Sequence, residues 1–207
     1  MLWILEKATK LAKNEDPNKM DKVETWIDAH KHKDGTSGSQ KALNPQGTSH
    51  LSVPGRDWID PPPDQLKINS AAVVRGGFCL MGVGVAIRND RGKVIAALSK
   101  PIHGHFCPVI GAFLALREGL LLAKLHKFQI HIAEVGPSIV VSSLNSSEGV
   151  PGDASFIAND IRTLFIEVGI CKCQATPKSG NALAHKLVAL ASSSAKESLW
   201  LDPSPSQ

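Results

Sequence analysis

The chain has no tyrosine among its 207 residues. That excludes a Y-x-D-D polymerase motif, so no reverse transcriptase core is expected in this chain. Cysteine is scarce as well: Cys79, Cys107, Cys171 and Cys173. No two of them have the spacing of a zinc clamp, and the Cys-Lys-Cys run is too tight for one. Cys171 and Cys173 fall on one face of an expected strand and read as buried thiols. No apolar run approaches the roughly 18 residues of a membrane-spanning helix. The opening "MLWILEKATKLAKNED" lacks the basic, apolar, small-residue order of a secretory signal. It carries Glu6 and Glu15 and no arginine, unlike a transit peptide. These absences lead us to expect a reduced, intracellular setting, cytoplasmic or nuclear.

What is present suits one soluble domain with an extension. Hydrophobic residues make up 43% of the chain, and mean hydropathy is close to zero. The net charge of +4 is unevenly placed. Residues 1–65 hold nine Lys/Arg and ten Asp/Glu, a balance of −1; residues 66–207 hold fourteen and nine, a balance of +5. A modest basic excess in the second part permits nucleic-acid binding without demanding it.

Residues 1–13 have the spacing of a short helix, with Leu2, Ile4, Leu5, Ala8, Leu11 and Ala12 against three interposed lysines. Residues 14–57 are polar, and their composition predicts a mostly disordered linker. The "HKH" at His30 to His32 reads as a solvated cluster. Pro61 to Pro63 stiffen the entry to the domain. Three strands are expected next, over 66–73, 79–88 and 93–99, with a hairpin turn at "NDRG". Gly82 and Gly84 alternate inside the second, which points to close backbone approach or a bulge. A helix over 108–127 follows, with Gly119 inside it and Pro108 at its start. Then come a strand over 128–135, a short helix from Pro137, a helix over 155–167 and a strand in "VGICKCQATP". Asn181 is placed to cap a last helix over 182–197, and the tail 203–207 reads as disordered. The order predicts an α/β fold: a mixed five-stranded sheet with helices packed on it.

This order, with its motifs, resembles the RNase H type-1 superfamily over residues 58–202. The nearest likeness is to the plant subgroup related to the ribonuclease H domain of non-LTR retroelements. The residues carrying the likeness are Trp58, Pro61 to Pro63, Lys67, Asn69 and Ala71-Ala72. Gly82, Gly84, Ala86 to Asn89 and Gly92 continue it, then Gly111-Ala112, Ala115-Leu116 and Gly119-Leu120. Ala133 to Pro137 follow, and Pro177-Lys178, Asn181, Ala184-His185 and Leu187 close it. The resemblance implies hydrolysis of RNA–DNA hybrids by two divalent ions held by about four carboxylates, with Mg²⁺ as the usual metal. The family's carboxylate positions fall on Ala71, Ala112, Gly136 and His185. Methyl groups and a glycine cannot ligate Mg²⁺. Glu134 is the nearby carboxylate that remains, and alone it reads as a strand-end surface charge.

The leading expectation is therefore an RNase H-like nucleic-acid-binding protein that has lost hydrolysis and needs no cofactor. Its ligand would be an RNA–DNA hybrid or RNA, held weakly through Arg88, Lys178, Asn181, His185 and Lys186. For Lys178 and Asn181 a solvated lysine and a helix cap are the plainer roles, and for His185 a capping or packing role. Two alternatives stand: a working hybrid ribonuclease, and a retroelement-derived interaction domain or gene fragment.

Overall fold

β1 (Leu66–Arg75) is the strand on which the others register. Its even-numbered residues Ile68, Ala72 and Val74 turn to one face of the sheet; Lys67, Asn69 and Ala71 turn to the other. β2 (Leu80–Arg88) pairs with it antiparallel, bringing Ala71 opposite Gly84, and β3 (Val94–His103) pairs antiparallel with β2. β4 (Ile130–Val135) and β5 (Lys172–Ala175) add in parallel on the other side. The structure, a computed structural model, describes residues 58–75, 79–146, 152, 154–194 and 196–202. Apart from Asp202 these form one compact unit. The expectations for 1–57, His30 to His32 and the tail from 203 lie outside the described residues.

The sheet has six strands in the order β5-β4-β1-β2-β3-β6, where five were expected. The extra one, β6 (Ser198–Leu201), pairs antiparallel with Ala96–Ser99 of β3. It lies just past the last helix, which was expected over 182–197 and ends at Ser194. Trp200 pairs with Ala97 and is buried, and this apolar anchor repays a strand of four residues. β3 runs on through Pro101, beyond the reach of β6, so the missing N–H falls where no outer strand needs it.

Three helices cover one face. α1 (Pro108–Leu125) starts with proline at its first position after Cys107 and closes where Lys127 adopts a φ of 57°. α2 (Ser138–Asn145) and α3 (Ala154–Val168) complete that layer. The main core lies beneath it, built from Ile68, Val85, Phe113, Leu116, Leu120, Ile130, Val135 and Ile161. α4 (Ala182–Ser194) packs alone on the opposite face.

Two close approaches explain the glycines. A Cβ on Gly119 would stand 2.6 Å from Ile68 Cδ1 and 2.8 Å from Val85 Cγ1, so α1 rests its backbone directly on β1 and β2. On the other face, a Cβ on Gly84 would collide with the Ala184 carbonyl and lie 2.7 Å from Val188 N. A Cβ on Gly82 would be 2.8 Å from Val188 O. The alternate glycines of β2 thus form the trough in which α4 lies, as their spacing suggested. Ser99 Oγ ties the same helix to β3 by donating to Leu187 O at 2.9 Å.

These contacts make the two sites respond differently to one methyl group. In Gly119→Ala the obstructing atoms are the end of Ile68 and the γ-methyls of Val85, a stiff β-branched side chain, so overpacking of about 1–3 kcal/mol is only partly offset by a helix-propensity gain of about 1 kcal/mol. In Gly84→Ala the obstruction is helix backbone, and α4 must lift from the sheet at about 3 kcal/mol, near the top of the usual overpacking range. Urea denaturation of both variants checks this; a Gly84→Ala midpoint equal to that of the parent would show that α4 does not seat there.

Candidate nucleic-acid interface

The register of β1, β4 and β5 puts three polar residues of one sheet face side by side: Asn69 beside Glu134, and Glu134 beside Gln174. Lys67, two residues along β1, shares that face. Glu134 is buried, and both its oxygens are bound by neighbouring side chains. Its Oε1 accepts from Lys67 Nζ at 2.8 Å and from Gln174 Nε2 at 2.8 Å; its Oε2 accepts from Asn69 Nδ2 at 2.8 Å. This corrects the reading of Glu134 as a strand-end surface charge. The parallel register carries it under neighbouring side chains, where a charge persists only when paired and fully hydrogen-bonded.

The same network reaches the opening segment. Lys67 Nζ also donates to Ile59 O at 2.7 Å. Asn69 Oδ1 accepts from Trp58 Nε1 at 3.0 Å and from Arg88 Nη2 at 2.8 Å. The Trp58 ring lies 3.6 Å from the Arg88 guanidinium carbon and 5.3 Å from Lys67 Nζ. A cation stacked on an indole face with little water between is worth about 2 kcal/mol. Arg88, expected to meet nucleic acid, is half-buried in this stack.

Of the positions where the resemblance asks for carboxylates, two lie where β1 passes the end of β4. Ala71 follows Ser70, which pairs with Val135, and Gly136 follows Val135. Ala71 is buried with Ala184 and Val188 of α4. Ala112, in the first turn of α1, belongs to the main core beneath the other helices. Gly136 is exposed, with nothing within 4 Å of where a Cβ would be. His185 is half-buried in the first turn of α4. This donor set does not suit Mg²⁺, which takes oxygen ligands. Two methyl groups, a glycine and an imidazole offer no oxygen, and both oxygens of Glu134 are engaged by protein donors. Among the described residues no group of three or more His, Cys, Asp or Glu is placed to hold a metal ion.

Beyond Ala71 the surface is basic. Lys178, Ser179, Ala182, His185, Lys186 and Ala189 line an open depression of about 520 Å³ along the start of α4. No acidic residue occupies the first turn of that helix, and the positive end of its dipole favours anions, although the N–H groups of Ala182 and His185 are bonded to Ser179 O and Asn181 O. Lys178 is exposed and Lys186 half-buried. Asn181 does not join them. It is fully buried, and its Nδ2 donates to Ser70 O at 2.8 Å instead of capping α4, so it fastens the helix to β1. The two cysteines expected on one buried face also part: Cys173 is buried, and burial pushes its thiol up to about 11, whereas Cys171 precedes β5 and is exposed.

The sheet order, the helix layers and the two ends of β1 define an RNase H-like domain of retroelement-related type. The sequence profile of the reverse transcriptase-like family matches residues 70–191, and the chain belongs to that family. Solved structures share the fold at low identity. RNase H1 of Halobacterium salinarum is 18% identical with a TM-score of 0.53, covering 59% of this chain and 93% of its own. LC11-RNase H1, isolated from compost and solved in complex with an RNA/DNA hybrid, is 19% identical with a TM-score of 0.54, covering 62% and 100%. The prototype foamy virus protease-reverse transcriptase is 15% identical with a TM-score of 0.50, covering 67% of this chain and 22% of its own. Among curated proteins no match is found.

Two outcomes test this geometry. Lys67→Met strands Glu134 as an unpaired buried carboxylate, at about 3–5 kcal/mol. Removing both charges in Lys67→Met/Glu134→Leu is expected to leave a protein more stable than the single variant, as read by urea denaturation; a double variant as unstable as the sum of the singles would mean the pair is not coupled. Burial, and secondarily the Lys178 charge, hold the His185 imidazole below its ordinary 6.5. The unfolded chain binds that proton more tightly, so this contribution to stability is complete above pH 6.5 and is lost as pH falls below it. By NMR titration His185 is expected to titrate below 6.5 and to move upward in Lys178→Ala; titration at or above 6.5 in the parent would contradict its placement.

Proposed function

We propose that this domain binds RNA–DNA hybrid or RNA through the sugar-phosphate backbone and does not hydrolyse it. One observation carries the reading: where hydrolysis needs a cluster of free carboxylates, the chain has Ala71, Ala112, Gly136 and His185, and both oxygens of Glu134 are engaged by Lys67, Asn69 and Gln174. The basic depression at the start of α4 supports the binding half of the proposal. Lys178 and Lys186 present positive charge, and His185 a ring donor, at the N-terminal end of α4, a setting that favours phosphate oxygens. The hybrid-bound structure of LC11-RNase H1 names the ligand class to try first. Asn181 drops out as a direct contact because it is buried, whereas Arg88, half-buried and stacked on Trp58, stays a candidate.

Such binding is shape-based and electrostatic, so it should weaken steeply with salt. Each phosphate contact contributes a slope of roughly −0.7 to −0.9 in log affinity against log salt. Lys178→Ala is expected to flatten the slope by about one unit, equally for unrelated base sequences. A mobility-shift titration of the full chain on labelled hybrid, with Mg²⁺ or Mn²⁺ added in parallel, tests both halves. The expected result is a salt-sensitive shift with intact strands. Metal-dependent cleavage would overturn the loss of hydrolysis, and no shift at about 50 mM salt would overturn binding and leave the interaction-domain reading.

A further inference from the structure

We propose that Cys79 and His105 form a nucleophile–base pair that makes Cys79 a site of modification by low-molecular-weight disulfides. The pair lies outside the nucleic-acid surface and is independent of it. It is created where the β2–β3 ladder ends. Leu80 pairs with His103, and Gly104 N donates to Cys79 O at 2.9 Å, one step past the last strand pair. Gly104 then turns with a φ of 146°, in the region that favours glycine, and a Cβ there would stand 2.7 Å from the Phe106 ring. That turn returns the chain over Cys79 and sets His105 Nε2 2.8 Å from Cys79 Sγ, while Nδ1 is 4.0 Å away. Both side chains are exposed, so a small reagent has access to the sulfur.

The contact has the geometry by which a base activates a thiol. In the tautomer with its proton on Nδ1, the imidazole Nε2 accepts the S–H proton. The Cys79 sulfur then attacks one sulfur of the disulfide, the S–S bond breaks, and a new S–S bond joins Cys79 to half of the reagent. The other half leaves as thiolate and takes the proton from the imidazolium. Cys79 is oxidised, the small disulfide is reduced to one free thiol, and no further oxidant is needed.

The remaining cysteines serve as internal controls. Cys171 is exposed, but its Sγ meets only the Gly169 carbonyl, at 3.5 Å. Cys107 is exposed at the N-terminal end of α1, a position that can itself activate a thiol, so it separates a helix-end effect from that of His105. Cys173 is buried and serves as the inert reference. The experiment treats the reduced full-length protein with oxidised glutathione near neutral pH and follows each cysteine by peptide mass mapping. Cys79 is expected to form the mixed disulfide about tenfold faster than Cys171, since an unactivated thiol is only a few per cent thiolate at that pH. His105→Asn is expected to bring Cys79 to within about twofold of Cys171 and to leave Cys107 unchanged. A Cys79 rate no faster than that of Cys171, or one unaffected by His105→Asn, overturns the assignment.

Discussion

The buried ion pair between Lys67 and Glu134 is the constraint on which one whole face of the sheet depends. Two charges inside a protein each cost several kcal/mol to desolvate, and only complete pairing makes the cost tolerable. Here the remaining hydrogen-bonding groups are also satisfied: Glu134 accepts from Asn69 and Gln174, and Lys67 donates to Ile59 O. The pair joins β1 to β4 across a parallel seam, which carries no hairpin to hold it. Gln174 extends the network to β5, and Asn69 passes it to Arg88 of β2 and to Trp58. One polar chain therefore spans four strands and the opening segment. α4 covers the Ala71 end of this face and the Trp58 segment covers the Lys67 end, so neither half is left to water.

Much of the fold was legible because its signals are local. Alternate glycines in β2 need a reason, and a helix backbone in the trough is that reason. Gly119 within a strongly apolar helix pointed to the sheet in the same way. β6 escaped because four residues carry too little periodicity, and its stability comes from Trp200 against a β3 strand about a hundred residues earlier in sequence. Cys171 was misplaced because β5 begins only at Lys172, so the residue before it escapes the strand's alternation and meets solvent.

The site was legible in what it lacks and not in what it keeps. Ala71, Ala112 and Gly136 can be read from the sequence as non-ligands without any coordinates. The burial of Glu134 could not, because it depends on a partner 67 residues away that only the parallel register brings near. A signal was nonetheless present. Lys67 and Asn69 alternate on an otherwise apolar strand, and two polar side chains on one strand face require partners from a neighbour. The stack of Trp58 on Arg88 was hidden for a related reason: a lone arginine at a strand end gives no sign in sequence of the ring packed against it.

The division along β1 bears on how such a domain can stand without a metal ion. Clustered carboxylates repel one another, and in a metal site the divalent charge offsets that repulsion. On this face the only buried carboxylate, among the described residues, is Glu134, and its counter-charge is the covalently attached Lys67. Two residues further along, Ala71 adds apolar contact with Ala184 and Val188 where a carboxylate would have to be desolvated. Charge balance at this end of the sheet is therefore closed within the chain. What remains open on this side is the basic start of α4, the depression lined by Lys178, His185 and Lys186 at which we propose that phosphate binds.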